Sequence, residues 1–274
     1  MKVISWNIFN GQAANPTLPA PLLSESIRET IASVGCDLLA VQEVDEGQSR
    51  SGSVHQMEIV AIAMDAPHWG YARAVIGTPG FGWRRPTESE KIIHSESEFP
   101  GYGIGLASKI PVRQWHRVDL PASWFGLALA YPTDRGFRLK YAKDEPRVAI
   151  IAELENGFTV AATHLSFVPF WNYFQLLKLM RFMKKLPGEH LIIGDINLPW
   201  NIPQHFSSWK SLTGKKTFPA YKPSLQFDYI LARGDLKATP IEFAPSQMSD
   251  HLPIGVAIES VSYTHLTLPT ILRV

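Results

Sequence analysis

The sequence predicts an α/β protein in which two mixed β-sheets pack against each other with helices outside them. Three observations support this fold class. The 274 residues are 45% hydrophobic and 19% charged, an ordinary globular composition. Short apolar runs bounded by turn residues recur along the chain, and some follow one another at hairpin distance. Amphipathic helical segments occur singly between the strands, without the regular alternation of a parallel βαβ fold.

The first half of the chain contains predicted strands at residues 3–8, 37–42, 104–108 and 112–120 and predicted helices at residues 21–34 and 53–64. Ser24 is the expected N-cap of the first helix, and Gly35 lies just past its end. Residues 37–42 form a nearly continuous apolar run, which is typical of a strand buried on both faces. The strands at 104–108 and 112–120 are expected to be a pair, joined through three residues.

The second half contains predicted strands at residues 147–154, 158–164, 190–194, 227–232, 236–243 and 253–259 and one amphipathic helix at residues 171–186. Asn156-Gly157 lies between the first two of these strands, and this dipeptide between apolar runs is a strong hairpin signal.

We expect one domain over residues 1–259, because no linker divides the chain. Residues 77–103 and 131–145 are rich in turn and charged residues, and they are expected to be long loops that face the substrate or move. Residues 260–274 have no amphipathic period and resemble translated cloning sequence, so we expect a non-native or disordered tail and exclude it from the fold.

Charge and cysteine content restrict the class of protein. The formal net charge is +1, from 26 basic and 25 acidic residues, so the overall balance does not favour a dedicated binder of long duplex nucleic acid. The single cysteine, Cys36, has no internal disulfide partner and is expected to be a buried, inert thiol. The sequence has neither a secretory core nor an apolar run of about 18 residues, so we expect a soluble, cytoplasmic monomer.

Polar residues capable of chemistry occur where the predicted strands begin or end. Taken singly, each is more often a solvated strand edge or a capping residue than a functional group. Their joint position beside apolar strands favours one site at a sheet rim. These residues are Asn7, Glu43, His164, Asp195, Asn197, Asp228, Asp250 and His251.

The residue types suit a hard divalent cation. Mg²⁺ prefers oxygen ligands and retains several waters, so it needs only one or two carboxylates together with a substrate phosphate. Glu43 and Asp250 can supply those carboxylates, with Mn²⁺ as a possible substitute ion. Zinc is disfavoured, because no cysteine–histidine cluster has ligand spacing.

The remaining residues suit hydrolysis of a phosphate ester, which needs an oriented water and stabilisation of charge on the phosphoryl oxygens. His251, held by an acid such as Asp228, would orient or activate water. His164 and Asn197 can donate hydrogen bonds to the phosphate.

An ordered set of short motifs resembles the endonuclease/exonuclease/phosphatase superfamily, which includes the deoxyribonuclease-I-like enzymes. The resemblance runs from Lys2 to about Glu259, and seven motifs in order are highly specific although each alone is weak. The motifs are Trp6-Asn7, Gln42-Glu43, Gly105-Leu106-Ala107-Ser108-Lys109-Ile110-Pro111, Thr163-His164-Leu165, Gly194-Asp195-Ile196-Asn197, Asp228-Tyr229-Ile230 and Ser249-Asp250-His251-Leu252-Pro253.

The resemblance implies a four-layered α/β sandwich with a magnesium site at one rim. It implies that Glu43 is the principal metal ligand, with Asn7 and Asp250 completing the site. It further implies that Asp195 and Asn197 act at the phosphate and the nucleophile, that Asp228 pairs with His251, and that His164 stabilises the scissile phosphate.

The Thr163-His164-Leu165 triplet resembles the deoxyribonuclease-I, sphingomyelinase and phosphatase branches, whereas abasic-site endonucleases lack this histidine. We therefore expect a metal-dependent phosphoesterase acting on a small molecule, a lipid head group or nucleic acid. A nuclease acting on DNA or RNA is one alternative. A catalytically inactive binding module is another, although such a module should have lost Glu43, Asp195 or His251, and all three are present.

Other residues have two readings each. Asp45, Arg50 and His55 either line the site or lie in a solvated loop, and the solvated loop is favoured. Arg147 is a phosphate contact or an edge-strand charge. The Trp83-Arg84-Arg85 run is a grip for a base or head group, or a soluble loop with one anchoring aromatic residue.

Overall fold

The structure is a computed structural model that describes residues 1–15, 17–93, 97–133, 136–205, 207–234 and 236–259. The expected tail at residues 260–274 lies outside the described residues, as do Asp134 and Arg135 of the expected second loop. None of the helices in the described part of the chain is both long and apolar enough to cross a membrane.

Two mixed sheets form the centre of the fold. In spatial order, the first sheet contains β14 (Ala238–Pro240), β15 (Ile254–Ile258), β1 (Lys2–Asn7), β2 (Leu38–Glu46), β5 (Gly101–Ser108), β3 (His68–Thr78) and β4 (Gly82–Arg84). The second sheet contains β12 (Trp209–Ser211), β13 (Asp228–Arg233), β11 (Glu189–Asp195), β10 (Phe158–His164), β9 (Arg147–Leu154) and β6 (Val112–Leu120). A separate hairpin contains β7 (Leu127–Thr133) and β8 (Gly136–Ala142). The α-helices are α1 (Leu23–Ala32), α2 (Gln56–Met64), α3 (Trp171–Met183) and α4 (Ile202–His205).

The two-residue period of the strands produces the layers. In β1, Val3 faces the core between the two sheets, whereas Ile4 faces the core shared with α1 and α2. In β11, Leu191 faces the core between the sheets, and Ile192 packs in the core shared with α3. Burial of each such side chain contributes about 1.5–3 kcal/mol to the free energy of folding. The resulting order of helices, sheet, sheet and helix confirms the predicted four-layered sandwich.

The strand directions bring the candidate residues to one edge. β1 is parallel to β2, and β10 is parallel to β11, so their carboxyl ends, including Asn7, His164 and Asp195, lie at the same end of the two sheets. β13 is antiparallel to β11, and its first residue, Asp228, pairs with Asp195. β15 is antiparallel to β1, so the residues that precede it reach the same end. We call this end, with the connections that leave it, the site edge.

Several predicted elements agree with the structure. The strands at Val112–Leu120, Arg147–Leu154 and Phe158–His164 have the predicted bounds. Gly35 follows the first helix with a φ of 69°, and its amide donates to Ile31, as expected of a helix-ending glycine.

Other expectations are wrong. The helix α1 begins after Leu22, and no side chain caps it, so Ser24 lies inside the helix. The strands at residues 104–108 and 112–120 are not partners, because β5 belongs to the first sheet and β6 to the second. The expected loop at residues 77–103 contains the end of β3 and all of β4. Most of the expected loop at residues 131–145 is the β7–β8 hairpin, whose backbone pairs along its full length.

Candidate active site

Glu43 occupies a β-bulge inside its strand, whereas the sequence predicts that it lies at the end of the strand. In the pairing of β2 with β5, Gln42 faces Ile104 and Val44 faces Gly103, so Glu43 is an extra residue. Its φ is 57°, a left-handed conformation that costs a non-glycine residue on the order of 1–3 kcal/mol. A bulge redirects the side chain away from the regular ladder. The bulge is thus what presents the Glu43 carboxyl group at the site edge.

Asn7 connects the two sheets. Its Nδ2 donates to Oε1 of Glu43 at 3.1 Å and to Oδ2 of Asp195 at 3.2 Å. Its Oδ1 accepts a hydrogen bond from the amide of Phe9, which orients the carboxamide. Glu43 belongs to the first sheet and Asp195 to the second, so one buried side chain ties a carboxylate of each sheet into a common site.

Asp195 lies at the centre of the site. Its Oδ2 is 3.6 Å from Nε2 of His164 and 3.8 Å from Nε2 of His251, besides its contact with Asn7. Its Oδ1 accepts the amide of Asn197. Burial, followed by the negative charge of Asp228, raises the pKa of Asp195 to about 7.

His251 is held in one orientation by buried partners. Its Nδ1 lies 2.8 Å from Oδ2 of Asp228, the same oxygen that accepts a hydrogen bond from the hydroxyl of Thr217. The ring of Phe218 packs against the imidazole with the two centroids 4.9 Å apart. Burial disfavours the charged ring, but the Asp228 carboxylate outweighs that effect and raises the pKa of His251 to about 10. The pair of Asp228 with His251 implied by the sequence is present.

Glu43 and Asp250 form a pair of carboxyl groups suited to a cation. Burial raises the pKa of both, and the charge of Asp250 raises the pKa of Glu43 further. Oδ1 of Asp250 is buried without a hydrogen-bond partner among the described residues. Two partly buried carboxylates that repel each other, one with an orphaned oxygen, are stabilised by a hard divalent ion with oxygen ligands. The residues present therefore fit Mg²⁺.

A second group of possible ligands lies close by. Among the described residues, Asp195, Asp228 and His251 bring one possible ligand atom each to within 4.8 Å of one another. However, Nδ1 of His251 and Oδ2 of Asp228 already share a hydrogen bond. This arrangement is that of an acid orienting an imidazole, and we favour the Glu43 and Asp250 carboxyl groups for the cation.

The two expected phosphate donors differ in their surroundings. Burial, followed by the positive charges of Arg147 and His251, keeps the pKa of His164 well below its usual range, so the ring is neutral. The Nδ2 of Asn197 donates to the carbonyl of Leu165 at 3.0 Å, which uses one of its two N–H groups. Asn197 itself has a φ of 53°, a turn conformation that an asparagine tolerates.

Gly194 is required by the close approach of β10 to β11. Its φ is 141°, and a Cβ atom built there would lie 1.9 Å from the carbonyl oxygen of Thr163. No side chain fits in that space. The glycine before Asp195 therefore lets the two strands that present His164 and Asp195 lie side by side.

Sequence reasoning missed several contributors. Thr217 and Phe218 hold the Asp228–His251 pair from the connection before β13, and no sequence signal marks them. Arg147, which the sequence left open, is buried at the first position of β9 and lines a small cavity together with Tyr102 and His164. Its Nε has no partner among the described residues.

The residues that follow Glu43 do not all lie in a solvated loop. Asp45 is buried within β2 and accepts hydrogen bonds from Arg50 at 2.8 and 2.7 Å. The favoured interpretation is therefore wrong for Asp45, because β2 continues past the bulge. Arg50 and His55 lie in the connection after β2, where Arg50 is exposed and the imidazole of His55 packs edge-on against Trp69 and Tyr71.

The fold of two packed mixed sheets is that of a class of phosphoesterases and nucleases, and comparison with known proteins identifies the family. The model of the endonuclease/exonuclease/phosphatase family matches residues 4–251, so the chain belongs to this family. Its members are phosphoesterases or nucleases and generally depend on a divalent metal ion. No curated protein shows significant sequence similarity to the chain.

Solved structures share the fold at low sequence identity. An endonuclease/exonuclease/phosphatase from Beutenbergia cavernae superposes with a TM-score of 0.61 at 16% identity, covering 93% of this chain and 70% of that one. The mannosyl-6-phosphatase of Bacteroides thetaiotaomicron gives a TM-score of 0.58 at 11% identity, covering 95% and 100%. The catalytic domain of human Nocturnin, with a bound sulfate, gives 0.57 at 16% identity, covering 94% and 93%.

Proposed function

We propose that this chain is a Mg²⁺-dependent phosphoesterase, with Mn²⁺ as a substitute ion, that hydrolyses a phosphodiester or phosphomonoester. The observation that carries the proposal is the setting of Asp195. One oxygen of this buried carboxyl group lies within 3.2–3.8 Å of nitrogen atoms of Asn7, His164 and His251. A carboxylate fixed on a rigid sheet edge among N–H groups is suited to orienting a water and accepting its proton.

The proposed cation ligands are Glu43 and Asp250, with Asn7 as the third. Among the residues that the structure describes, the Oδ1 of Asn7 accepts only the amide of Phe9, so one of its lone pairs remains for the ion. When bound, Mg²⁺ supplies positive charge that stabilises the phosphoryl oxygens and the leaving oxygen. Asn7 also fixes the Glu43 carboxyl group by donating to Oε1, which keeps this ligand in place.

The proposed nucleophile is a water molecule beside Asp195 and His251. Because Nδ1 of His251 is engaged by Asp228, Nε2 is the ring atom available on the side of Asp195. The oxygen of the water forms a bond to phosphorus, and one of its protons moves to the carboxylate of Asp195, because Asp228 keeps the pKa of His251 raised and the ring protonated. The ester P–O bond breaks, and the leaving oxygen takes up a proton from solvent.

His164, Asn197 and Arg147 are the proposed donors to the phosphoryl oxygens. The neutral ring of His164 offers an N–H group, and Asn197 has one amide hydrogen that is not used in the turn. Arg147 adds a buried positive charge whose Nε has no partner among the described residues. Such donors stabilise charge as it develops in the transition state.

The substrate class rests on charge and on the neighbours. A structural neighbour is a mannosyl-6-phosphatase, which acts on a sugar phosphate. The net charge of +1 gives little driving force for a long polyanion. We therefore favour a phosphate ester of a small molecule or a head group over duplex DNA.

The test is hydrolysis of bis-p-nitrophenyl phosphate and p-nitrophenyl phosphate with Mg²⁺, with Mn²⁺ and with EDTA. We expect activity that EDTA abolishes and that Glu43→Ala removes. Folded protein that binds the metal but hydrolyses neither these esters nor plasmid DNA, RNA or lipid phosphoesters would instead indicate an inactive binding module. Cleavage of plasmid DNA or RNA with no turnover of the small esters would favour a nuclease.

A further inference from the structure

The exposed aromatic side chains of the protein collect at the site edge. Among the described residues, every exposed aromatic side chain lies in a connection at this edge, in the β7–β8 hairpin within one such connection, or in the first turn of the helix that follows one. The connections at the opposite edge contain none in the described part of the chain. The exposed residues are Phe81, Phe99, Trp124, Phe125, Tyr141, Phe170, Phe174, Trp200 and Tyr221.

Four of the most exposed of these residues come from four separate connections. Trp124 is 89% exposed, Tyr221 81%, Phe170 80% and Trp200 76%. A single exposed aromatic residue is ordinary on a protein surface. Four on separate connections, all around one edge, form an apolar surface that a partner would cover, because burial of each large ring is favourable.

The charges at this edge suit an anionic, partly apolar partner. Residues 8–22, 165–170 and 196–208 are three of its connections, and they contain no aspartate, glutamate, lysine or arginine. The connection at residues 212–227 contains Lys215, Lys216 and Lys222 and no acidic residue. The connection at residues 241–253 contains Asp250 of the site and Glu242, which pairs with Lys215 at 3.0 Å. The connections at residues 79–100 and 121–146 carry both signs, and in the first of them Arg84 pairs with Glu90.

A bilayer surface fits these observations better than a nucleic-acid strand does. A single strand binds where aromatic rings alternate with basic residues that follow the backbone. Here the connections that present Phe170 and Trp200 contain no lysine or arginine. Tryptophan, tyrosine and phenylalanine partition into the membrane–water interface without local charge, and nearby lysines add attraction to anionic lipids.

We propose that the site edge docks onto the surface of an anionic phospholipid bilayer through these exposed aromatic side chains. The docked orientation turns Glu43, Asp195 and His251 towards the lipid head groups, because they lie at the same edge. The substrate is then a phosphoester within a lipid head group. This last step rests on the proposed phosphoesterase function, whereas the docking itself does not.

Sedimentation with vesicles tests the docking. The full chain is mixed with vesicles of phosphatidylcholine and phosphatidylserine, and bound protein is measured with EDTA present so that no turnover occurs. We expect binding that falls at least about tenfold in a triple variant with Trp124→Ser, Phe170→Ser and Trp200→Ser. Ile62→Ser is the matched control, because Ile62 is an exposed apolar residue near the end of α2, away from the site edge. Its binding should equal that of the unchanged chain.

Three outcomes overturn the inference. The first is that the unchanged chain fails to sediment with the vesicles, and the second is that the triple variant binds them as well as the control does. The third is that a labelled single-stranded oligonucleotide binds in fluorescence anisotropy through the same three residues while vesicles do not bind. Hydrolysis of bis-p-nitrophenyl phosphate separates this result from the proposed function. A triple variant that loses vesicle binding but keeps this hydrolysis supports both the docking and the proposed phosphoesterase function. An inactive chain that still binds vesicles through the exposed aromatic side chains supports the docking alone.

Discussion

The two sheets contribute different chemistry to one edge. The first sheet carries the carboxyl groups suited to a cation, with Glu43 at the bulge in β2 and Asp250 just before β15. The second sheet carries Asp195 and Asp228 at the paired ends of β11 and β13, with His164 on the neighbouring strand. Neither sheet alone brings these groups together, so the proposed site depends on the packed core between the two sheets.

Two side chains cross from one sheet to the other. Asn7, at the end of β1, donates to Asp195 of the second sheet. His251 precedes β15 of the first sheet and binds Asp228 of the second. If the first sheet serves the metal and the second serves proton transfer, variants in each sheet should fail in different ways, and variants of the crossing residues should fail in both.

The largest effect is expected for Asp195→Asn. The amide keeps the shape of the side chain but cannot accept a proton, so kcat for bis-p-nitrophenyl phosphate should fall by about 10³-fold or more. The melting temperature and its increase on adding Mg²⁺ should remain close to those of the unchanged chain. Asp65→Asn is the matched control, because Asp65 is exposed and follows α2 in a left-handed conformation that asparagine accepts. An unchanged kcat in Asp195→Asn would remove Asp195 from the proposed chemistry.

Glu43→Gln should break the metal side of the comparison. We expect kcat to fall by about 10²–10³-fold, because the principal carboxylate ligand is lost. We also expect Mg²⁺ to stop raising the melting temperature, an effect worth about 2.7 kcal/mol at 100 times the dissociation constant. Differential scanning fluorimetry with and without EDTA measures it. Glu58→Gln on the exposed face of α2 should keep both properties. A Glu43→Gln chain that still gains stability from Mg²⁺ would show that the cation binds elsewhere.

Asn7→Ala should impair both sides by smaller amounts. Loss of its two donated hydrogen bonds releases Glu43 and Asp195, so kcat should fall by roughly 10–100-fold and Mg²⁺ should bind more weakly. The free energy of unfolding should decrease by about 1–3 kcal/mol, because buried acceptors lose their partner. Denaturant unfolding and a Mg²⁺ titration of activity measure these quantities. If only one of the two functions changed, Asn7 would belong to one sheet's chemistry and would not couple the two.

Strands can be predicted from the sequence where apolar and polar residues alternate or where a characteristic turn dipeptide follows the strand. The hairpin of β9 and β10 was predicted with the correct bounds because Asn156-Gly157 marks its turn. The eleven-residue β3 was missed although it lies inside the first sheet. It carries Gly70, where a Cβ would lie 2.6 Å from a methyl group of Ile150 in the facing sheet. Such tight packing favours glycine, which lowers strand propensity and hides the pattern.

The same reasoning explains which site residues were predicted. The eight candidates were predicted because they lie beside apolar runs of the sequence, where a residue's chemistry and its approximate position in a sheet are both readable from the chain. The bulge at Glu43 was not foreseen, since an inserted residue leaves no local signal. Thr217 was not foreseen either, because it lies in an irregular connection and meets Asp228 only after the sheets have packed. Contacts set by tertiary packing are the part that sequence patterns cannot supply.

Thr217→Val should have the smallest effect, confined to the second sheet. Valine keeps the size of the side chain but removes the hydroxyl that donates to Oδ2 of Asp228, the oxygen that also holds His251. Hydrogen bonds to charged groups are worth about 1.5–3 kcal/mol, and part of that loss is compensated by the remaining bond to the imidazole. We therefore expect kcat to fall by roughly 3–10-fold, with no change in the Mg²⁺ concentration that gives half-maximal activity. Thr217→Ser retains the hydroxyl and should restore kcat. A change in the Mg²⁺ requirement with kcat intact would mean that Thr217 supports the cation, and the division of labour between the two sheets would have to be abandoned.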